Sequence, residues 1–319
     1  MNSFLLSLVV PVFNEEKVLP EFFDRTASAL SAFDYEVIFV DDGSRDDSWP
    51  VLERMMKKSS RVRAVRLSRN FGHQAAITAG LEHAAGDAVV VMDADLQDPP
   101  EVIPAMVARW QEGYDVVYGT RAERRGESWF KKVTAGIFYR FLRRASPVDL
   151  PREAGDFRLM SRAVVNSINS LPERIRYMRG LTSWVGFRQV GLPYTRDPRF
   201  AGETKYPLGK MLRFAWDGIT SFTRLPLQLA IYLGLMATGL SLLYAFHSLY
   251  VCFVTKTAVK GWTSLIIAIV FLGGVQLLMI GIIGEYIGRI YEEVKHRPLY
   301  LVRQRLGFPP SEGIKKEKP

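Results

Sequence analysis

Only one cysteine, Cys252, and four histidines occur among the 319 residues. A lone thiol excludes an intrachain disulfide framework and a cysteine-based metal site. His73, His83, His247 and His296 share no metal-ligand spacing, and only His73 falls near an acidic motif. Glycine-rich phosphate loops are missing as well. No Gly-x-Gly-x-x-Gly follows the first apolar run, and no Gly-x-x-x-x-Gly-Lys occurs anywhere. A dinucleotide dehydrogenase or a P-loop nucleotidase is thereby disfavoured. The first apolar run has no basic residues ahead of it and meets Glu15 and Glu16 at once, so it reads as a strand of the main domain and not as a signal peptide. Charge itself is absent from two stretches, Leu225–Thr255 and Gly261–Gly284. Each exceeds the roughly 20 apolar residues that a bilayer-spanning helix needs.

What is present is unevenly distributed. The net charge of +9 collects in Arg121–Arg144, with eight Lys/Arg against two Glu, and in a tail carrying Lys295, Arg297, Arg303, Arg305, Lys315, Lys316 and Lys318. Basic clusters beside spanning helices read as contacts with an anionic membrane, not with nucleic acid. Trp129–Leu142 has helical spacing of Phe130, Val133, Ile137 and Phe141 interleaved with Lys131, Lys132 and Arg140, the pattern of a basic amphipathic helix. A second interfacial helix is expected over 207–224. The short loop between the spans carries Lys256 and Lys260, whereas Arg224, Arg289, Lys295 and Arg297 flank them outside. The positive-inside rule then places both termini in the cytoplasm. The expected organisation is a catalytic domain over 1–206, an interfacial helix over 207–224, two spans over 225–291 and a basic tail over 292–319. Glycines within the spans, such as Gly273, Gly274, Gly281, Gly284 and Gly288, permit close helix packing and self-association.

Over the first 120 residues apolar strands alternate with helices. Strands are expected at Phe4–Val12, Tyr35–Val40, Val62–Leu67, Ala88–Met92 and Asp115–Tyr118. Helices are expected at Glu15–Leu30, Trp49–Lys57, Gln74–Ala85 and Val102–Gln111, with a later helix at Ser161–Ser170 and a strand at Phe187–Leu192. Such alternation predicts an α/β fold, a mostly parallel sheet with helices on both faces. Ligands sit outside the carboxyl ends of such strands, and there lie Asn14-Glu15, Asp41-Asp42 and Asp93-Ala94-Asp95. The Val89–Gln97 stretch ends an apolar run on Asp93 and Asp95, with Gln97 two residues on, before Pro99 and Pro100 stop the strand. If the segment stays extended, Asp93, Asp95 and Gln97 point the same way. Hard oxygen donors suit Mg²⁺ or Mn²⁺ carrying a substrate's phosphates. A plainer role, capping a turn and the next helix, stands beside this one.

Several motifs in one order match a family. They are Val10-Pro11-Val12-Phe13-Asn14-Glu15, Val40-Asp41-Asp42-Gly43-Ser44, Arg69-Asn70-Phe71-Gly72-His73, Met92–Pro100, Gly119-Thr120-Arg121, Gly155–Met160 and the Arg199–Tyr206 stretch. The chain resembles the polyprenyl-phosphate glycosyltransferases of the GT-A class, family 2: dolichol-phosphate mannose synthases and, closer, the two-span bacterial bactoprenol glucosyltransferases. The resemblance implies a Rossmann-like GT-A domain and inverting transfer of a hexose from a nucleoside diphosphate to a polyprenyl phosphate. It implies that Pro11, Phe13, Glu15, Val40 and Asp42 line the nucleoside pocket. Asp93, Ala94, Asp95 and Gln97 would hold the diphosphate and its Mg²⁺ or Mn²⁺. Arg199 and Lys205 would close over the diphosphate, with Thr204 where the family usually has Ser. Arg121 with Lys131 or Lys132 would bind the lipid phosphate.

Asp156 is the candidate base or acceptor-orienting group, or else an ion-pair partner of Arg158. Glucose from UDP-glucose is the expected donor, with GDP-mannose and other UDP-sugars as alternatives. A processive polysaccharide synthase is disfavoured because the Gln-x-x-Arg-Trp helix and the extra spans are missing. A membrane-tethered nucleotide-sugar sensor fits the intact acidic rim poorly, and two spans make a poor path for a lipid-carrier flippase partner.

Overall fold

The computed structural model describes residues 4–121, 154–174, 176–196, 225–250, 254 and 261–308. The expected Trp129–Leu142 and 207–224 helices and the Arg199–Tyr206 stretch lie outside these residues. The chain divides into two compact units, one formed by 1–143, 148–208 and 297–319, the other by 144–147 and 209–296.

The first unit is built on an eight-stranded sheet. In chain order its elements are β1 (Leu5–Val12), α1 (Leu19–Ala29), β2 (Asp34–Asp41), α2 (Ser48–Lys58), β3 (Val62–Leu67), α3 (His73–His83), β4 (Ala88–Val91), α4 (Ile103–Gln111), β5 (Val116–Arg121), β6 (Ala154–Ser161), α5 (Arg162–Ser170), α6 (Met178–Trp184), β7 (Gln189–Tyr194) and, after the second unit, β8 (Val302–Leu306). The spatial order is β7-β5-β6-β4-β1-β2-β3-β8. β4, β1, β2 and β3 run parallel, as does the β5–β7 pair. β6 runs antiparallel to both β4 and β5, and β8 antiparallel to β3. The sheet is therefore mixed, and "mostly parallel" holds for its centre.

The central strands are apolar on both faces because both faces are covered. Leu6, Leu8, Val10 and Val12 of β1 share one core with Phe22 of α1, Leu52 of α2 and Met106 of α4. The alternate face, including Val9, Ile38, Val40 and Val65, is equally buried, and α3 packs on β1 and β2 there. α3 comes very close: a Cβ built on Gly80 would stand 2.1 Å from Val9 Cγ1. Chain connectivity reverses between β1 and β4. Such a switch point opens a crevice at the strands' carboxyl ends.

Two strands depart from the sequence reading. β6 was legible only as the Gly-Asp-Phe-Arg motif before a helix, and β8 falls inside the basic tail. β8 is a short edge strand with Arg303, Gln304 and Arg305 exposed, the charged pattern that keeps an edge from pairing further. Ser68 donates its backbone N–H to the Leu301 carbonyl (2.8 Å), and Phe308 stacks against His83.

The second unit is a helix pair, α7 (Leu225–Tyr250) and α8 (Trp262–Val294). Gly234 of α7 lets Met279 of α8 approach: an added Cβ would lie 2.7 Å from the methionine methyl. Among the described residues, Phe271–Val294 is long and apolar enough to cross a membrane, with mean hydropathy 1.6. Its Leu277, Ile280, Ile287 and Ile290 are exposed. α8 continues ten residues beyond the Gly284 end of the expected span.

Gly80→Ala is expected to cost about 1–3 kcal/mol, the usual penalty for overpacking a filled interface. The measurement is the thermal unfolding midpoint of the purified protein. An unchanged midpoint would contradict the close α3–β1 packing.

Candidate active site

Three loops at the carboxyl ends of β1, β2 and β3 interlock. Asn14, held at φ 57°, receives the Arg45 N–H on its side-chain oxygen (2.8 Å) and donates its own N–H to Ser44 Oγ (3.0 Å). Glu15 donates its backbone N–H to Ser48 Oγ at 2.9 Å. Buried Asp41 accepts the Ser44 N–H (2.8 Å) and faces Arg66 at 3.3 Å. Asp42 accepts the N–H groups of Phe71 (2.7 Å) and Gly72 (2.9 Å). Gly43 makes this possible. Its φ is 69°, and a Cβ there would meet the Arg69 backbone carbonyl carbon at 2.6 Å. Burial raises the Asp42 carboxyl against the lowering by those two amides. Asp42 therefore ties the second loop to the 69–72 turn that starts α3.

The nucleoside-side candidates divide. Phe13 and Glu15 are half-buried at the rim, whereas Pro11 and Ala94 are buried. Val40 is fully buried within β2, between β1 and β3, so its side chain is closed to a ligand.

The acidic tip differs from the expected alternation. β4 ends at Val91, and residues 94–98 form a turn. Leu96 is in the left-handed region, φ 59°. Asp95 is buried and accepts the Gln97 N–H on Oδ1 at 3.2 Å. Asp93, Asp95 and Gln97 are thus brought to one rim by a turn and not by one strand face. At Asp95 the structure shows the plainer turn-capping contact. Asp98 is also buried, bonded to the Tyr194 hydroxyl and 3.5 Å from Arg196 Nε.

β6 supplies the fourth acidic side chain. Val91 pairs with Arg158 in the antiparallel β4–β6 ladder, and continuing that ladder two residues sets Asp156 opposite Asp93. Asp156 does not pair with Arg158 through a hydrogen bond. Its Oδ1 accepts from Arg179 Nε (2.8 Å) and its Oδ2 from Arg179 Nη2 (3.2 Å), a two-pronged pair reaching from α6. His73 Nε2, at the start of α3, stands 3.5 Å from both Asp156 Oδ2 and Asp93 Oδ1. Arg158 is buried and bonds to Thr182 Oγ1 and the carbonyls of Met178 and Gly155, which fastens α6 to β6. Gln74 Oε1 accepts the Met178 N–H at 3.0 Å and joins α3 to α6. His73 was visible in the sequence as the last residue of the Arg69–His73 motif, near the rim but with no role assigned. Arg179 had no signal, because nothing marks a seven-residue helix as the wall of a site.

These contacts set the protonation states. Burial raises Asp156, but Arg179 and His73 outweigh it and hold the carboxyl well below the usual range. Burial alone would lower the His73 imidazole; the Asp93 and Asp156 charges overcome this and push it up to about 9. Asp93 is raised by burial and by repulsion from Asp156, Asp95 and Asp98, against the pull of His73. Side chains of Arg121, Lys131, Lys132, Arg199 and Lys205 lie outside the described residues.

A Mg²⁺ or Mn²⁺ fits this donor set in a restricted way. Among the described residues no group of three or more His, Cys, Asp or Glu side chains is arranged to hold a metal ion. The described residues alone thus offer no cage. One or two carboxylates completed by substrate phosphates and water is the usual environment of Mg²⁺ at nucleotide sites. Asp93 and Asp95 match that pattern, and the mutual repulsion at Asp93 is what a cation would relieve.

With chelator present, the His73 imidazole should titrate near pH 9 in a proton NMR pH series, with His73→Asn assigning the resonance. The contribution of the charged imidazole to stability is complete below about 6.5 and is lost as pH rises through about 9. A midpoint near 6.5 would contradict the bridge to Asp93 and Asp156.

Residues 7–168 match the family model described as glycosyl transferase family 2, and residues 225–290 match one described as the GtrB C-terminal hairpin. An uncharacterized glycosyltransferase, YkcC of Bacillus subtilis, is 50% identical over 95% of this chain and 94% of its own length. An uncharacterized glycosyltransferase of Synechocystis is 48% identical over 95% of this chain and 96% of its own. The bactoprenol glucosyl transferase of Shigella phage SfV is 43% identical over 93% of this chain and 98% of its own length. With the motifs, the sheet and near-full-length relatives in agreement, the chain belongs to glycosyl transferase family 2.

Proposed function

We propose that the protein transfers glucose from UDP-glucose to undecaprenyl phosphate at the cytoplasmic face of the cell membrane, with inversion at the anomeric carbon. The carrying observation is a near-full-length match, through both the catalytic domain and the hairpin, to a relative named bactoprenol glucosyl transferase. On this reading α7 and α8 would both cross the membrane. α7 contains no charged residue over 26 residues, and at about 1.5 Å per residue it exceeds the hydrocarbon thickness of about 30 Å. The outer basic flanks then leave both termini cytoplasmic.

In this reaction a phosphate oxygen of the acceptor forms the bond to the anomeric carbon. The bond to the diphosphate breaks, and its electron pair leaves with UDP. Asp93, Asp95 and Gln97 would hold the divalent ion, which supplies positive charge at the departing diphosphate when bound. Arg199 and Lys205 would add charge from the other side. Arg121, with Lys131 or Lys132, would gather the lipid phosphate. No strong base is needed, because a phosphate monoester with its second pKa near ~6 is largely dianionic at neutral pH. A carboxylate whose proton affinity is depressed is also a weak base. Of the two roles open to Asp156, orientation therefore fits and proton removal does not.

Membranes containing the protein, given radiolabelled UDP-glucose, undecaprenyl phosphate and Mn²⁺, should form an organic-extractable product with one glucose per lipid. Asp95→Ala should cut that transfer by at least about 100-fold, the loss typical of removing one transition-state charge partner, while leaving the fold intact. Retained turnover would refute the metal assignment. Arg121→Ala should raise the KM for undecaprenyl phosphate while leaving that for UDP-glucose within about twofold, since phosphate contacts on one substrate do not bind the other. Equal loss for both substrates would refute that division.

A further inference from the structure

Four consecutive residues, Phe71, Gly72, His73 and Gln74, reach four separate parts of the first unit. The backbone N–H groups of Phe71 and Gly72 end on Asp42, after β2, at 2.7 and 2.9 Å. The Gln74 side chain accepts the Met178 N–H at 3.0 Å and holds the first turn of α6. Between these ties, His73 Nε2 stands 3.5 Å from Asp93 Oδ1, after β4, and 3.5 Å from Asp156 Oδ2, on β6. The backbone on either side of His73 is thus anchored, and its ring is aimed at two carboxylates of like charge. Asp156 repels Asp93. The β4–β6 register sets the two backbones opposite one another, but register does not fix the carboxylates. An aspartate turns about its side-chain torsions, and repulsion favours the rotamers that part the pair. Asp156 has a second restraint, because Arg179 grips both its oxygens at 2.8 and 3.2 Å. Asp93 has none of this kind. Among the described residues, His73 is the one basic side chain within ion-pair distance of it, and Asp93 is the more open of the two carboxylates.

We infer that His73 is a positioning residue that clamps the Asp93 and Asp156 carboxylates at a fixed separation. The assignment rests on the proposed transfer to a lipid phosphate and names a residue of that same site. In that reaction Asp93 serves the donor diphosphate and Asp156 orients the acceptor, so the distance between them sets one substrate against the other. The attacking oxygen must lie about 3–3.5 Å from the anomeric carbon and in line with the departing diphosphate, and a misplacement of about 1 Å can cost about 100-fold in rate. His73 acts on that alignment through the two carboxylates, and no bond to the sugar is made or broken by it. A fastening of α3 to the sheet does not require His73. The two amides on Asp42 already hold the start of the helix, and the Gly80–Val9 contact holds its middle.

The test uses the full-length protein and two readouts. The first is kinetic, in detergent with UDP-glucose, undecaprenyl phosphate and Mn²⁺. An inactive wild type would sink the proposed transfer, and this is seen before any variant is compared. His73→Ala should lower kcat about tenfold or more and leave the KM of each substrate within about threefold, the pattern of lost alignment and not of lost binding. His73→Gln should recover part of the loss, because its amide carries two donors for the two carboxylates. It also serves, through a smaller fall in kcat alone, if the alanine variant fails to fold. The second readout is crystallographic and needs no turnover. In His73→Ala without substrates the Asp93 and Asp156 carboxylates should stand farther apart than in wild-type crystals, and in His73→Gln they should stay close to the wild-type separation. An unchanged separation in His73→Ala would remove the clamp. A rise in the KM for UDP-glucose with kcat unchanged would make His73 a donor ligand. A fall in the unfolding midpoint with kcat and both KM values unchanged would make it a fold support. Each of these three results overturns the assignment.

Discussion

Like charges gathered in one place must be balanced, and the carboxyl-end rim of this sheet is organised by that requirement. Asp95, Asp98 and Asp156 all act on Asp93 there. Cations and donors answer these charges among the described residues: His73 between Asp93 and Asp156, Arg179 on Asp156, Tyr194 and Arg196 on Asp98, and the Gln97 amide on Asp95. The elements that bring these partners, α3, α6 and β7, are themselves locked to the sheet. Burial of the surrounding apolar strands raises the electrostatic stakes, because charges interact more strongly where water is excluded. What remains uncompensated is centred on Asp93. A divalent ion with a diphosphate is the proposed completion.

The same rim explains why the fold needs its mixed sheet. Parallel strands β1, β2 and β4 deliver three loops to one edge, as any doubly wound sheet does. They cannot deliver a fourth group facing β4 from the other side, because the chain has crossed over at that switch point. An antiparallel β6 does so at once: its direction carries Asp156 past the end of β4 to lie opposite Asp93. Arg158, two residues on, is buried on the same strand and secures α6. One short segment, Gly155–Arg158, thereby contributes both a charge at the rim and the anchor for that charge's counter-ion.

The parallel centre was legible in the sequence because each strand is a short apolar run bounded by turn residues, and β3 was placed at its observed limits. Helix ends shifted by a few residues. α1 begins at Leu19 and not Glu15, since residues 14–18 are taken up in locking the first loop to the second. The candidate rim residues were legible as motifs, but their arrangement was not. Asp95 was expected to share a strand face with Asp93, and a left-handed Leu96 turns the chain instead. An ion pair with Arg158 was one alternative for Asp156, beside a role as base or acceptor-orienting group. Its partners are His73, distant in sequence, and Arg179 on a helix without a periodic signal. Ion pairs between distant segments are a tertiary property, and local spacing does not encode them. β8 was hidden for a related reason: its exposed arginines gave it the look of a solvated tail.

The central claim is that the carboxylates at the end of β4 collect a divalent ion together with the donor's diphosphate. Anomalous scattering from crystals of the protein grown with Mn²⁺ and UDP tests it most directly. The expected result is a manganese peak within bonding distance of an Asp93 or Asp95 carboxylate oxygen and of UDP phosphate oxygens. A peak elsewhere with UDP bound in another crevice, or UDP bound at this rim with its diphosphate turned away from both aspartates, would contradict the account.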